Sequence, residues 1–139
     1  SPRHPSAPPH WSPARVVAVA MGGSCGAGLR WAALERWPVD GGGFPWVVLV
    51  VNVVGSLALG VLLTLEWSHP RAQLLIRDAG AIGLCGGLTT FSTYAVEVVD
   101  LLDRGRAATA VAYTVASIVG ALAAVVAGAA AGRRIRWSA

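Results

Sequence analysis

Apolar residues along the chain fall into four long runs, separated by short polar or turn-rich stretches. The runs cover about Ala14–Leu34, Phe44–Leu65, Leu74–Leu102 and Ala107–Ala131. An α-helix rises ~1.5 Å per residue, so about 20 apolar residues cross the hydrocarbon core of a bilayer. Each run is therefore predicted to be one transmembrane helix. The pattern indicates an all-α integral membrane fold of four transmembrane helices.

The third run has an irregular centre, where Gly86 and Gly87 are followed by hydroxyl residues at positions 89, 90, 92 and 93. Glycine is a poor helix former, and Ser and Thr hydroxyls compete for backbone hydrogen bonds. We expect this helix to be broken near its middle, at Gly86 and Gly87. Such a break requires burial in protein, a bound ion or a wet cavity. The alternative is an unbroken helix with a small-residue seam at Gly83 and Gly87.

Polar residues occur at helical spacing inside the other runs. Asn52 and Ser56 are four residues apart in the second run, so they share one helix face. A buried amide is costly unless it is paired. Asn52 either joins two helices or offers an N–H donor to an anion path, and the sequence leaves both open. Arg30 lies about two turns before the expected end of the first helix. It either snorkels to the interface, which we expect, or points inward to carbonyls or an anion.

Small residues predict close helix packing in the first and last runs. Gly22 and Gly26 are spaced by four, and a longer stripe of the same spacing runs from Gly120 to Gly132. The segment from Glu97 to Arg106, which ends the third run, is interpreted as a solvated loop with an i,i+4 ion pair between Asp100 and Arg104.

The composition supports a membrane protein, because 55% of the residues are hydrophobic and 13% are charged. The net charge of +4 comes from arginine alone and flanks the runs, so nucleic-acid binding is not implied. We expect a disordered tail at residues 1–13, a single membrane domain at 14–132 and a basic tail at 133–139. Cys25 and Cys85 lie within predicted spans and suggest neither a disulfide nor a metal site. No motif indicates an enzyme.

Three motifs together resemble the Fluc (CrcB) family of fluoride channels, and the match extends from about Ala14 to Ala131. The first is Gly26-Ala-Gly-Leu-Arg30 followed by an aromatic residue, and the second is Asn52-Val-Val-Gly-Ser56. The third and most specific is Gly86-Gly-Leu-Thr-Thr-Phe-Ser-Thr-Tyr94, which departs from the family pattern by having Tyr instead of Phe at its last position.

The resemblance implies an antiparallel, dual-topology homodimer in the cell inner membrane that exports fluoride passively through two pores. It implies a structural sodium ion at the dimer centre, bound by backbone carbonyls of Gly86 and Thr89. Arg30 is then an anion-attracting or structural residue. The implied pore residues are Asn52, Phe91, Thr93, Tyr94, Tyr113 and Ser117.

The chemistry of these pore residues suits a small anion, which needs donors without a fixed cation that would hold it too tightly. Amide and hydroxyl groups donate hydrogen bonds, and an aromatic edge carries partial positive charge. We expect Phe91 to act through its ring edge. Tyr94 acts through either its ring edge or its hydroxyl.

Two other function classes remain as alternatives. A small dual-topology multidrug or metabolite transporter would need a membrane-embedded carboxylate, and the first run has none before Glu35. A membrane scaffold would explain the small-residue seams but not the polar residues.

The arginines divide seven to four between the two sides, a modest bias that leaves open a heterodimer with an oppositely biased paralogous subunit.

Overall fold

The computed structural model describes residues 12–39, 41, 43–65 and 69–138. Helix α1 covers Pro13–Arg36, α2 covers Trp46–Thr64 and α6 covers Ala107–Ser138. Between α2 and α6 lie α3 (Pro70–Ala72), a π-helix that we call π1 (Gln73–Cys85), α4 (Gly86–Leu88) and α5 (Ser92–Asp103). The described part of the chain is all-helical.

The prediction of four membrane-length helices is confirmed. The helical stretches that are long and apolar enough to cross a membrane are Pro13–Arg36, Trp46–Thr64, Pro70–Asp103 and Ala107–Ile135. The third begins at Pro70, before the apolar run predicted from Leu74, because Pro fits the first helical turn. The predicted amino-terminal tail lies outside the described residues up to residue 11, and α6 continues as a helix through most of the predicted basic tail.

Local signals explain where several helices begin and end. Ser12 caps α1 by accepting a hydrogen bond from the Arg15 amide at 3.3 Å. The turn between α5 and α6 contains Gly105 with a φ of 72°, a left-handed conformation that glycine adopts without steric cost. The Arg106 amide then donates to the Leu101 carbonyl at 2.8 Å, which closes the turn.

Small residues bring the helices together in two pairs. Helix α2 packs mainly against α6, whereas α1 packs against π1 and α4. A methyl group added at Gly128 would collide with the backbone of Leu57, and one at Gly22 would collide with the backbone of Ala79. The predicted small-residue packing faces are therefore confirmed.

The helical path of the third span is interrupted between Leu88 and Ser92. Thr89 has extended backbone angles, with a φ of −74° and a ψ of 152°. Gly86 and Gly87 are themselves helical, so the expectation of a break at these two glycines is wrong. The reason is packing, since Gly87 lies directly against the backbone of Gly23 on α1.

Candidate functional site

A cavity of about 550 Å³ lies beside the interruption, between α2 and α6. Six of the nine predicted site residues line it: Asn52, Gly86, Thr89, Phe91, Tyr94 and Ser117. Ser56 and Thr90 add two further hydroxyls, and no described lining residue carries a charge. Thr93, Tyr113 and Arg30 are outside this lining. The interruption therefore gathers neutral polar groups and aromatic rings around one space.

Asn52 joins α2 to the interruption. Its Nδ2 donates to the Thr90 carbonyl at 3.0 Å, and its Oδ1 accepts from the Thr90 amide at 2.8 Å. The side-chain amide thus replaces two backbone partners that Thr90 lacks outside a helix. Of the two interpretations, the joining role is the one that the geometry supports directly. An amide nitrogen carries two N–H groups, and this pair of bonds uses one of them.

Arg30 donates hydrogen bonds to backbone carbonyl groups at the end of α4. Its guanidinium donates from one nitrogen, Nη1, to the Gly87 carbonyl at 2.7 Å and to the Thr89 carbonyl at 3.1 Å. The expectation that Arg30 snorkels to the interface is wrong, and its inward orientation follows from the carbonyls left without helical partners. The positive guanidinium is also attracted to the negative carboxyl end of the helix dipole, which is stabilising. Arg30 therefore stabilises the interruption.

Threonine hydroxyls stabilise both helix ends that flank the interruption. Thr89 Oγ1 donates to the Cys85 carbonyl at 3.0 Å. Thr90 Oγ1 accepts from the Thr93 amide at 3.2 Å and so caps the start of α5. The Thr93 hydroxyl lies 3.3 Å from the Thr90 hydroxyl. The predicted pore role of Thr93 stays a prediction.

Aromatic rings form a row that leads away from the interruption. The ring centroids of Phe91 and Tyr94 are 5.5 Å apart, those of Tyr94 and Tyr113 are 5.3 Å apart, and those of Tyr113 and Phe44 are 5.6 Å apart. Phe91 is 78% exposed, whereas Tyr113 is fully buried. The Tyr94 hydroxyl donates to Thr114 Oγ1 at 3.1 Å.

A carboxylate lies at the buried end of this row. The Tyr113 hydroxyl donates to Glu97 Oε2 at 2.6 Å, a distance typical of a charge-assisted hydrogen bond. Glu97 is part of α5 and half-buried, so its assignment to a solvated loop is wrong. Its position three residues after Tyr94 on the same helix face could have identified it. The predicted ion pair between Asp100 and Arg104 is confirmed at 2.8 Å.

Ser117 is the one lining residue with an unsatisfied buried hydroxyl. It is 9% exposed, and its Oγ has no hydrogen-bond partner within the part of the chain that the structure describes. A buried hydroxyl without a partner is energetically unfavourable. Ser117 borders the cavity, but its hydroxyl oxygen is covered by protein and interacts with the Tyr113 side chain at a geometry poorer than that of a regular hydrogen bond.

The expected sodium ligands fit a cation only in part. Gly86 and Thr89 both border the cavity, and backbone carbonyl oxygens suit a hard cation. Gly86 is exposed, with open space around the position of an added methyl group. The Thr89 carbonyl, in contrast, already accepts from the positive Arg30 side chain.

Similarity to known proteins identifies the family of the chain. Residues 17–129 match the family model described as CrcB-like protein, Camphor Resistance (CrcB). The "Fluoride-specific ion channel FluC" of Bordetella pertussis is 45% identical over 113 residues, which cover 81% of this chain and 87% of that protein. The "Fluoride-specific ion channel FluC 2" of Nocardia farcinica is 40% identical over 129 residues, covering 93% and 92%. The chain belongs to the CrcB-like family.

Proposed function

We propose that this chain is a subunit of a fluoride channel in the cell membrane, which it crosses several times. The observation that carries the proposal is the cavity beside the interruption, where the unpaired Ser117 hydroxyl lies together with Asn52, Phe91 and Tyr94. Relatives at 40% and 45% identity that carry the name fluoride-specific ion channel support it.

The lining supplies what a small anion needs when it leaves water. Ser117 can donate its O–H, and Asn52 has a second N–H beyond the one that it donates to Thr90. The ring edges of Phe91 and Tyr94 add partial positive charge. With no charged side chain among the described lining residues, the anion is attracted without being trapped. Conduction is then passive, down the fluoride gradient.

Fluoride efflux from liposomes that contain the purified protein tests this function. With a potassium ionophore present to carry the compensating charge, a fluoride electrode should record efflux from protein-containing vesicles and none from empty ones. Chloride, measured in the same vesicles, should remain inside. Equal efflux of chloride and fluoride, or no fluoride efflux at all, would contradict the proposal.

We also propose that two antiparallel copies of the chain assemble around this site. Phe91 is 78% exposed, and the hydroxyls of Thr90 and Ser92 form an exposed pair at 3.2 Å in the middle of a membrane span. Lipid cannot satisfy extended backbone and hydroxyl groups at that depth. A second copy that covers this surface removes the problem and completes the pore. The alternative partner is a paralogous subunit of opposite topology.

Reporter fusions at the carboxyl terminus distinguish the two partners. A dual-topology homodimer requires that reporters fused to the carboxyl terminus give a signal on both sides of the membrane. Fusions that score on one side only would rule out the homodimer and favour a partner of opposite bias.

A sodium ion at the centre of the dimer is the third part of the proposal. The Gly86 and Thr89 carbonyls of two copies would provide four oxygen ligands, and the ion would stabilise the assembled dimer. Thr89 must then share its carbonyl between the ion and Arg30, which its two lone pairs permit. Thermal unfolding of the dimer should occur at higher temperature in sodium than in an equal concentration of choline. Identical unfolding in both would contradict this role.

The structure favours one further candidate, a proton-coupled transporter, because Glu97 is a half-buried carboxylate inside a span. Such a transporter would accumulate substrate when a pH gradient is imposed. The channel does not, since its flux follows only the electrochemical gradient of fluoride and is not coupled to protons. Glu97→Gln should abolish transport under the proton-coupled mechanism, whereas in the channel it should leave fluoride efflux measurable. Uptake driven by the pH gradient would favour the transporter.

A further inference from the structure

Tyr94 lines the cavity, but its hydroxyl is bonded elsewhere. The hydroxyl donates to Thr114 Oγ1 at 3.1 Å, and Thr114 on α6 is not part of the cavity lining. We propose that Thr114 is a positioning residue that keeps the Tyr94 hydroxyl out of the ion path and leaves the ring edge facing it. The inference rests on the proposed channel function and concerns how tightly that channel holds fluoride.

The geometry around the Tyr94 ring fixes it in two independent ways. The phenolic oxygen lies on the axis about which the ring spins, so its bond to Thr114 fixes where the ring points but not its spin. The spin is restricted by the flanking rings, since the planes of Phe91 and Tyr113 are tilted by 43° and 46° to that of Tyr94. Together these contacts hold one orientation of the ring.

The consequence for an anion follows from the difference between a hydroxyl and a ring edge. A phenolic O–H is a full hydrogen-bond donor, whereas the edge of an aromatic ring offers only the weak positive charge of its quadrupole. Conduction requires binding that is weak enough to release the ion. With its proton donated to Thr114, Tyr94 offers fluoride the same kind of edge as Phe91. This explains how a tyrosine can occupy a position where the resemblance implies phenylalanine.

Thr114→Val tests the inference, because valine keeps the shape of threonine and removes the hydroxyl. The matched variants are Thr114→Ser, which restores an acceptor, and Thr109→Val, which makes the same change five residues earlier on α6. Initial fluoride efflux from liposomes is measured over a series of internal fluoride concentrations. This gives a maximal rate and a half-saturating concentration for each variant.

We expect Thr114→Val to lower both quantities, since a freed Tyr94 hydroxyl binds fluoride more tightly and releases it more slowly. A single hydrogen bond corresponds to a change of roughly two- to tenfold. Thr114→Ser should recover most of the wild-type values. Thr109→Val should not lower the maximal rate or the half-saturating concentration to the extent that Thr114→Val does. In a Tyr94→Phe background, Thr114→Val should have no additional effect, because the hydroxyl that it frees is absent.

Three results would overturn the inference while the wild-type protein conducts fluoride. These are a lower maximal rate with an unchanged half-saturating concentration, failure of Thr114→Ser to restore conduction, or an undiminished Thr114→Val effect in the Tyr94→Phe background. Each would show that Thr114 only supports the fold. A wild-type protein that carries no fluoride would instead refute the channel function itself, so the two failures are distinguishable.

Discussion

The part of the third span before the interruption (α3, π1 and α4) and the part after it (α5) contact different neighbours in different ways. The first part lies against α1, where glycines bring two backbones together. The second lies against α6, where the Tyr94 and Glu97 side chains bond to Thr114 and Tyr113. Steric fit positions the first part together with polar bonds from α1, namely the Arg15–Asp78 ion pair at 3.0 Å and the bonds of Arg30 to the Gly87 and Thr89 carbonyls. In the second part, hydrogen bonds and ring contacts to α6 determine the position.

This difference explains where the cavity lies. Glycines bring the backbones of α1 and α4 into direct contact, whereas the cavity lies where residues of α2, α5 and α6 face one another beside Asn52. Changes in the first part should therefore affect stability, and changes in the second part should affect conduction. Substitutions in each part test this division.

The largest effect is expected from Gly87→Ala, in the first part. The added methyl group would meet the backbone of Gly23, which cannot move aside as a side chain can. We expect a loss of about 3 kcal/mol in the free energy of unfolding, measured by thermal unfolding in detergent.

Gly28→Ala is the matched control for this change, because open space surrounds the position of its added methyl group. Replacing an exposed helical glycine with alanine should raise stability by up to ~1 kcal/mol. If the two variants unfold at the same temperature, the steric account of the first part is wrong.

Asn52→Leu should have the next largest effect, because it removes both bonds to Thr90 at the interruption. We expect a loss of about 2 kcal/mol of stability, since two backbone groups lose their partners. Fluoride efflux should fall along with the fraction of assembled protein. Ser56→Ala, one turn later on α2, changes the polarity of the same cavity and should destabilise the protein less. Equal losses would show that Asn52 acts through cavity polarity and not through the interruption.

The features that the sequence could predict are those that depend on one helix at a time. Span length and glycine spacing predicted the four helices and the small-residue faces. Asn52 and Ser56, which the spacing places on one helix face, both line the cavity. The orientation of Arg30 and the partner of Glu97 depend on which helices are neighbours. Spacing along one chain does not contain that information. The position of the interruption was missed because the packing of Gly87 against Gly23 overrides the low helix propensity of glycine.

Phe91→Leu tests the residue immediately before the second part through its effect on conduction. Leucine keeps an apolar side chain but has no ring edge, so we expect fluoride efflux to fall roughly tenfold in a dimer that still assembles. Size-exclusion chromatography of the purified variant measures assembly, and the liposome assay measures efflux. Intact efflux with a less stable dimer would show that the Phe91 ring serves packing only. Its 78% exposure in a single copy would then mark surface that packs against the second copy.

Ser117→Ala should give the smallest and most specific effect, because it removes a hydroxyl that makes no hydrogen bond among the described residues. Its loss leaves no other group unpaired, so thermal stability should stay the same or increase. Efflux should nevertheless fall by roughly two- to tenfold, the contribution of one hydrogen bond to the permeating anion. Ser117→Cys, which keeps a weaker donor of similar size, should conduct at an intermediate rate. If alanine and serine conduct equally well, fluoride does not bind at this hydroxyl on α6, and conduction depends on the aromatic rings and on Asn52 of α2 instead.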